Sequence, residues 1–180
     1  MSPSLDGLRL LKTPHFEDER GWFLPAFAER IHHEAGIHHR WAEMNISSSR
    51  RGVIRGLHFQ HPMAQAKIIS VLEGSIWDVA VDLRPASPTY LQWESFELSP
   101  QTYSQIYLPA GFAHGLATPR EPATIAYLVS EPYRPEAQKV LRWDDPALQI
   151  PWPIAEPILS ARDLAGTPLA EIKAALREES

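Results

Sequence analysis

Residues 51–67 read RGVIRGLHFQHPMAQAK, and alternation through 53–60 predicts a strand whose side chains point to opposite faces in turn. On that count Ile54, Gly56, His58 and Gln60 share one face, and Val53, Arg55, Leu57 and Phe59 share the other. His58 lies between two apolar residues, with Arg55 three positions before it and Lys67 nine after. An imidazole gains or loses its proton near neutral pH. Gly56 leaves room for something to approach the backbone. Arg55 and Lys67 are able to hold an anion or a developing negative charge. A lone histidine in such a strand is ordinarily a satisfied core residue. A base, a glycine and two cations together point instead to a site.

Working outward, further short strands separated by turn signals are expected at 7–12, 67–73, 76–83, 90–98, 105–108 and 124–130. In 76–83 the residues Asp78 and Asp82 share one face, while Trp77, Val79, Val81 and Leu83 fill the other. Tyr127 shares a face with Ile125 and Val129. A short helix is expected over 28–36, ended by Gly36, and a final helix after Pro168 with the apolar stripe Leu169, Ile172, Ala175 and Leu176. The interrupted segment 22–27 is limited by Pro25 to an edge or a loop. His32, His33, His38 and His39 read as solvated surface histidines, because adjacent pairs diverge and no carboxylate is suitably spaced. This pattern predicts an all-β sandwich or barrel of jelly-roll type with short flanking helices, one of them C-terminal, as a single domain over 1–180.

Composition narrows the function. A chain of 180 residues with 44% hydrophobic residues is long enough to bury a sizeable core. The formal net charge of -5 argues against nucleic acid as the main partner. There is no cysteine, which excludes disulfides, zinc thiolates and a thiol nucleophile. No apolar run reaches membrane-spanning length, so no membrane partner is expected and a cytoplasmic location is the default expectation. Seventeen prolines against nine glycines fit many short segments with stiff connections.

The run with Pro109, Gly111 and His114 resembles the second motif of the cupin superfamily of small β-barrels. In metal-binding cupins the first motif carries two histidines one residue apart. Here His58 is followed by Phe59 and Gln60, so the second histidine is missing and no metal site is expected. A closer resemblance covers nearly the whole chain. DERGWF at 18–23, RGVIRGLHFQ at 51–60, AQAK at 64–67, DVAVDLR at 78–84, SPT at 87–89 and PAGFAHG at 109–115 are similar to the dTDP-4-dehydrorhamnose 3,5-epimerase family of nucleotide-sugar enzymes. YLVSEPYRPE at 127–136, WDDPALQIPWP at 143–153 and LSARD at 159–163 continue the match in order.

That resemblance implies an isomerase acting next to a ketone. A 4-keto sugar has acidic hydrogens at C3 and C5. Inversion needs a base on one face, an acid on the other, and stabilisation of the enolate between them. The family's base corresponds to His58, held by a carboxylate that corresponds to Asp163, and its acid corresponds to Tyr127. Lys67 corresponds to the cation facing the enolate oxygen. Arg20, Asn45, Arg55, His114 and Tyr133 correspond to contacts with the nucleotide sugar. No cofactor is implied, because the substrate's own ketone acidifies the hydrogens. The resemblance also implies a homodimer, with Arg20 serving the neighbouring protomer's pocket.

Taken singly these residues have plainer readings: a core tyrosine, a helix N-cap for Asp163, a solvated turn for Arg20, a structural histidine for His114. The chain also departs from the family pattern, with Pro25 where a glutamate is common and Glu43-Met44-Asn45 where Gln-Asp-Asn is common. Three alternatives therefore stand beside the dTDP-sugar epimerase: a sugar-nucleotide binding module without catalysis, an epimerase of another deoxysugar acting at one carbon, and a metal-dependent cupin using His58, His114 and Glu73.

Overall fold

A computed structural model describes residues 4–178; the outermost ends of the domain expected over 1–180 lie outside the described residues. The strands are β1 (Arg9–Lys12), β2 (Phe16–Asp18), β3 (Gly21–Phe23), β4 (Glu43–Ser49), β5 (Ile54–Gln60), β6 (Lys67–Glu73), β7 (Ile76–Asp82), β8 (Trp93–Leu98), β9 (Ser104–Leu108), β10 (Phe112–Ala117), β11 (Ala123–Val129) and β12 (Gln138–Val140). The helices are α1 (Glu29–Glu34), α2 (Ala161–Leu164) and α3 (Leu169–Glu178). One five-stranded sheet runs β1-β9-β6-β11-β4, and a second runs β12-β5-β10-β7-β8. Adjacent strands pair antiparallel, and β2–β3 form a separate hairpin. This is the all-β jelly-roll architecture with small helices at its margins.

Alternation within the strands sorts the apolar residues into three layers. Between the sheets, Ile69, Val71, Ile106 and Ile125 from the first pack against Phe112 and Leu116 from the second. The opposite face of the second sheet carries Leu57, Phe59, Val79 and Val81, covered by Leu169, Ile172 and Leu176 of α3. Ala175, expected in that stripe, is exposed. The α3 N-terminus is held by buried Asp145, whose Oδ2 accepts the Leu169 amide at 2.8 Å. On the outside of the first sheet, Ile37 packs with Ile68 and Tyr107.

Several expectations are corrected. Residues 43–49 form β4, although three serines give them a polar character; seven positions of register with β11 override that composition. The segment expected as one strand over 90–98 becomes β8 only from Trp93, after a turn in which Leu91 has φ 64°. His32 is buried and His39 is half-buried, so neither is the free surface residue expected. His32 is 2% exposed and its ring bonds Ala28 O and Gln105 Oε1, while His39 Nε2 bonds the Tyr107 hydroxyl at 2.9 Å.

Residues from three of the quoted motifs build the corner that leads into β10. Asp82 accepts from Arg84 Nη2 at 2.7 Å, Ser87 Oγ at 2.5 Å and Thr89 Oγ1 at 2.7 Å. Arg84 lies over the Phe112 ring, 4.8 Å from its centroid. Gly111, at φ +90°, gives the guanidinium stem its room: a Cβ there would stand 2.5 Å from Arg84 Cγ. This cluster fixes where β10, and with it His114, begins.

Candidate active site

Between the two sheets lies a cavity of about 570 Å³. Its walls carry His58, Arg55 and His114 from the second sheet, and Lys67, Tyr127 and Asn45 from the first. The expected separation of Arg55 and His58 onto opposite faces is wrong, since both line the cavity. The cause is a bulge in β5. His58 pairs with His114, but Arg55 pairs with Leu116, so β5 spends one residue more than β10 over the same span. The bulge sits at Gly56, at φ +120°, where the backbone of β10 presses in.

His58 Nε2 lies 2.5 Å from Asp163 Oδ1. Asp163 is 3% exposed and sits in α2, whose N-cap is Ser160 rather than Asp163 itself. The Ser160 hydroxyl donates to Asp163 Oδ2 at 2.8 Å and accepts the Asp163 amide at 3.1 Å. Burial alone would raise the Asp163 carboxyl, but the hydrogen bond and charge of His58, the Ser160 hydroxyl and the Gly56 amide outweigh it and hold it below the ordinary range. The carboxylate therefore fixes the imidazole with its proton on Nε2. The Nδ1 lone pair is then free to act as a base.

His114, opposite His58, forms a second pair of the same kind: its Nε2 is 2.7 Å from Oδ2 of fully buried Asp78. Lys67 reaches across from the first sheet, with Nζ 3.4 Å from the His58 carbonyl oxygen. Burial pushes the Lys67 ammonium down to about 8, against the pull of Asp78 in the other direction. Tyr127 faces His58 from the opposite sheet. Burial raises its phenol above the ordinary value, with Arg55 drawing it down and Glu43 up.

Such a cavity has a base on one wall, a proton donor on the other, and a cation beside them. It is equipped to remove a proton from carbon, hold the resulting oxyanion and return a proton to the opposite face.

Of the residues expected at the site, His58, Lys67, Asn45, Arg55, His114, Tyr127 and Tyr133 line the cavity, and Asp163 stands behind His58. Arg20 does not. It is at the tip of the β2–β3 hairpin, paired with the Asp18 carboxylate at 2.6 Å. Nor does Glu73 join the histidines: it is exposed, at the far end of β6 from Lys67. Among the described residues no group of three or more His, Cys, Asp or Glu is placed to hold a metal ion.

Sequence reasoning missed Asp78 as the partner of His114, and missed Gln60 and Gln65, which bond the segments beside the cavity mouth. Gln60 is 3% exposed; its Oε1 accepts the Arg134 amide at 2.8 Å, and Gln65 Nε2 donates to Glu131 O at 2.7 Å. The polar alternation of β5 was the available signal for Gln60.

The family model described as dTDP-4-dehydrorhamnose 3,5-epimerase matches residues 2–171. A protein of that name from Methanothermobacter thermautotrophicus is 40% identical over 171 residues, covering 93% of this chain and 92% of the relative. Another, from Neisseria gonorrhoeae, is 40% identical over 176 residues; the match covers 97% of this chain, which spans about half (54%) of that relative. The crystal structure of dTDP-6-deoxy-D-glucose-3,5-epimerase from Legionella pneumophila in complex with dTDP-4-keto-L-rhamnose superposes with a TM-score of 0.92 at 39% identity, covering 98% of this chain and 95% of that one.

Proposed function

The chain belongs to the dTDP-4-dehydrorhamnose 3,5-epimerase family, and we propose that its cavity inverts C3, C5 or both of a dTDP-linked 4-keto-6-deoxyhexose with His58 as base and Tyr127 as acid. The observation that carries this reading is His58 on the second sheet, paired with Asp163 of α2, facing Tyr127 on the first sheet. A flat enolate held between them receives its proton from the face opposite to the one that lost it.

His58 Nδ1 takes the proton from the carbon next to the ketone, and the C–H electron pair moves into the enolate. The imidazolium so formed is stabilised by Asp163. Lys67, as the ammonium, offsets the charge on the enolate oxygen. Tyr127 then gives its phenolic proton to the carbon from the other side as the enolate electrons form the new C–H bond and restore the ketone; the phenolate regains a proton from solvent and the His58 imidazolium releases its own to solvent. Asn45, Arg55, His114 and Tyr133 hold the nucleotide sugar, with Arg55 a planar donor suited to phosphate oxygens.

We also read the described residues as one catalytic unit that works in the cytoplasm as a homodimer. Exposed Phe16 (63%), Trp22 (53%) and Phe23 (65%) on the β2–β3 hairpin support a covered position for it. Arg20, at its tip, would then reach the partner's cavity. A monomer at micromolar concentration with full activity would overturn this.

The test of the reaction is incubation with dTDP-4-keto-6-deoxyglucose in deuterated water. Deuterium is expected at C3, C5 or both, and the position reports which carbon is inverted. Absence of exchange would overturn the epimerase reading in favour of a binding module.

A further inference from the structure

We propose that Glu43 is a positioning residue for this reaction: its carboxylate ties the Tyr133 segment across the cavity mouth and lies beside Tyr127, setting where the substrate sits against the acid. The inference rests on the reading of Tyr127 as the acid. Glu43 is the one carboxylate among the described residues that line the cavity. In a pocket for an anionic nucleotide sugar, an acidic wall residue repels the ligand, so its presence calls for a compensating role.

The hydrogen bonds give that role. Glu43 Oε1 accepts the Tyr133 amide at 3.0 Å, and Oε2 accepts Asn45 Nδ2 at 3.3 Å. On either side of Tyr133, the Pro132 carbonyl accepts from Gln60 Nε2 at 3.3 Å and the Arg134 amide donates to Gln60 Oε1 at 2.8 Å. Gln60 belongs to β5 in the second sheet and Glu43 to β4 in the first. The Tyr133 segment is thus a strap pinned to both walls. Its phenol accepts from Arg162 Nη1 at 3.3 Å, next to Asp163 in α2.

The same carboxylate acts on Tyr127 through space. Tyr127 lies opposite Asn45, and Glu43 is opposite Val129, so Glu43 is the diagonal neighbour on the inward face. Both its oxygens are held by neutral donors, which orient the charge without cancelling it. The charged and titratable groups sharing the cavity with Tyr127 are Glu43 on β4, Arg55 and His58 on β5, Lys67 on β6, His114 on β10 and Tyr133 on the strap. Burial raises the phenol most, Arg55 draws it down, and Glu43 adds a smaller upward push.

Two substitutions separate the roles. Glu43→Gln keeps an oxygen for the Tyr133 amide and removes the charge, whereas Glu43→Ala removes both. Glu43→Ala is expected to raise KM by roughly tenfold, the size of a lost hydrogen bond to a charged group, and Glu43→Gln by much less. In ¹³Cζ-tyrosine NMR titrations, with the signal assigned by Tyr127→Phe, both variants should titrate Tyr127 at lower pH than the wild type. Equal KM increases in the two variants, or an unchanged Tyr127 titration, would overturn the proposal. Should Glu43→Ala fail to fold, the Glu43→Gln titration decides alone. Absence of deuterium exchange in the wild type defeats the epimerase reading, whereas exchange with unresponsive Glu43 variants defeats only this inference.

Discussion

Gly56 and Gly115 meet backbone to backbone: a Cβ on Gly56 would lie 2.6 Å from Gly115 Cα and 2.8 Å from His114 O. The contact lets β5 bulge against β10, and the bulge turns Arg55 and His58 into one cavity. Gly56→Ala meets both an unyielding neighbour and a φ of +120° that side chains rarely adopt. A stability loss of about 2 kcal/mol or more is expected, with loss of activity as His58 moves. Gly21→Ala is the control. It has φ +126° but nothing within 4 Å, so it carries strain without overlap and should cost less. Denaturant unfolding of the two variants checks the difference; equal losses would mean that crowding against β10 is not what Gly56 relieves.

Lys67 predicts a pH dependence. The proposed reaction uses its ammonium, and burial brings it down from 10.5 to about 8. In the free enzyme kcat/KM is expected to fall as pH rises through about 8, and Lys67→Arg should retain its own, lower, kcat/KM to higher pH, because a guanidinium stays charged. Stability follows the opposite sign. Between about 8 and 10.5 the unfolded chain still holds the proton that the folded chain has released, so this group's contribution improves with rising pH. Lys67→Met should therefore gain most over the wild type below pH 8 and lose that advantage toward 10.5, as urea unfolding at neutral and alkaline pH would show.

Much of this was legible in the chain. Short apolar runs between turn signals marked β6, β7 and β11, and the RGLH and GFAHG runs marked the two histidines. What escaped depends on pairing between distant segments. The face of Arg55 was misjudged because the bulge exists only where β10 presses on Gly56. Asp78 was assigned to a strand face without a partner, since its contact with His114 requires β7 and β10 to be neighbours. β4 hid behind its serines: Asn45 reached the site through the family resemblance alone, and the bond of Glu43 to the Tyr133 amide joins segments far apart in the chain.

Asp163→Asn tests the support behind the base. Asparagine cannot supply the negative charge that stabilises the imidazolium, and it leaves the tautomer unfixed. A kcat loss of about 10²-fold or more is expected with little change in KM. The carboxyl is held below its ordinary 3.8 in the folded chain, so its contribution to stability is present above that pH and is lost as pH falls through the folded value. The stability gap between wild type and Asp163→Asn should accordingly narrow below about pH 4. A gap that is constant down to pH 2 would show that the His58 contact does not depend on the carboxylate charge.

The two walls of the cavity are separated by a pair of substitutions. Tyr127→Phe removes only a hydroxyl and keeps the ring against its packing neighbours, so folding should change little. His58→Asn removes the proposed base and keeps a polar group of similar reach. With His58 and Lys67 intact, the Tyr127→Phe enzyme should still release the substrate's proton to solvent while making inverted product slowly. His58→Asn should lose both exchange and product. Each loss is expected at ~10²–10⁴-fold, the usual contribution of a general acid or base. Exchange followed by NMR in deuterated water, alongside product formation, gives the two rates from one sample. Equal loss of exchange in both variants would sink Tyr127 as an acid acting after the enolate forms. A fully active Tyr127→Phe enzyme would move the donor to water or to Tyr133, whose hydroxyl stands at the same mouth within reach of Arg162.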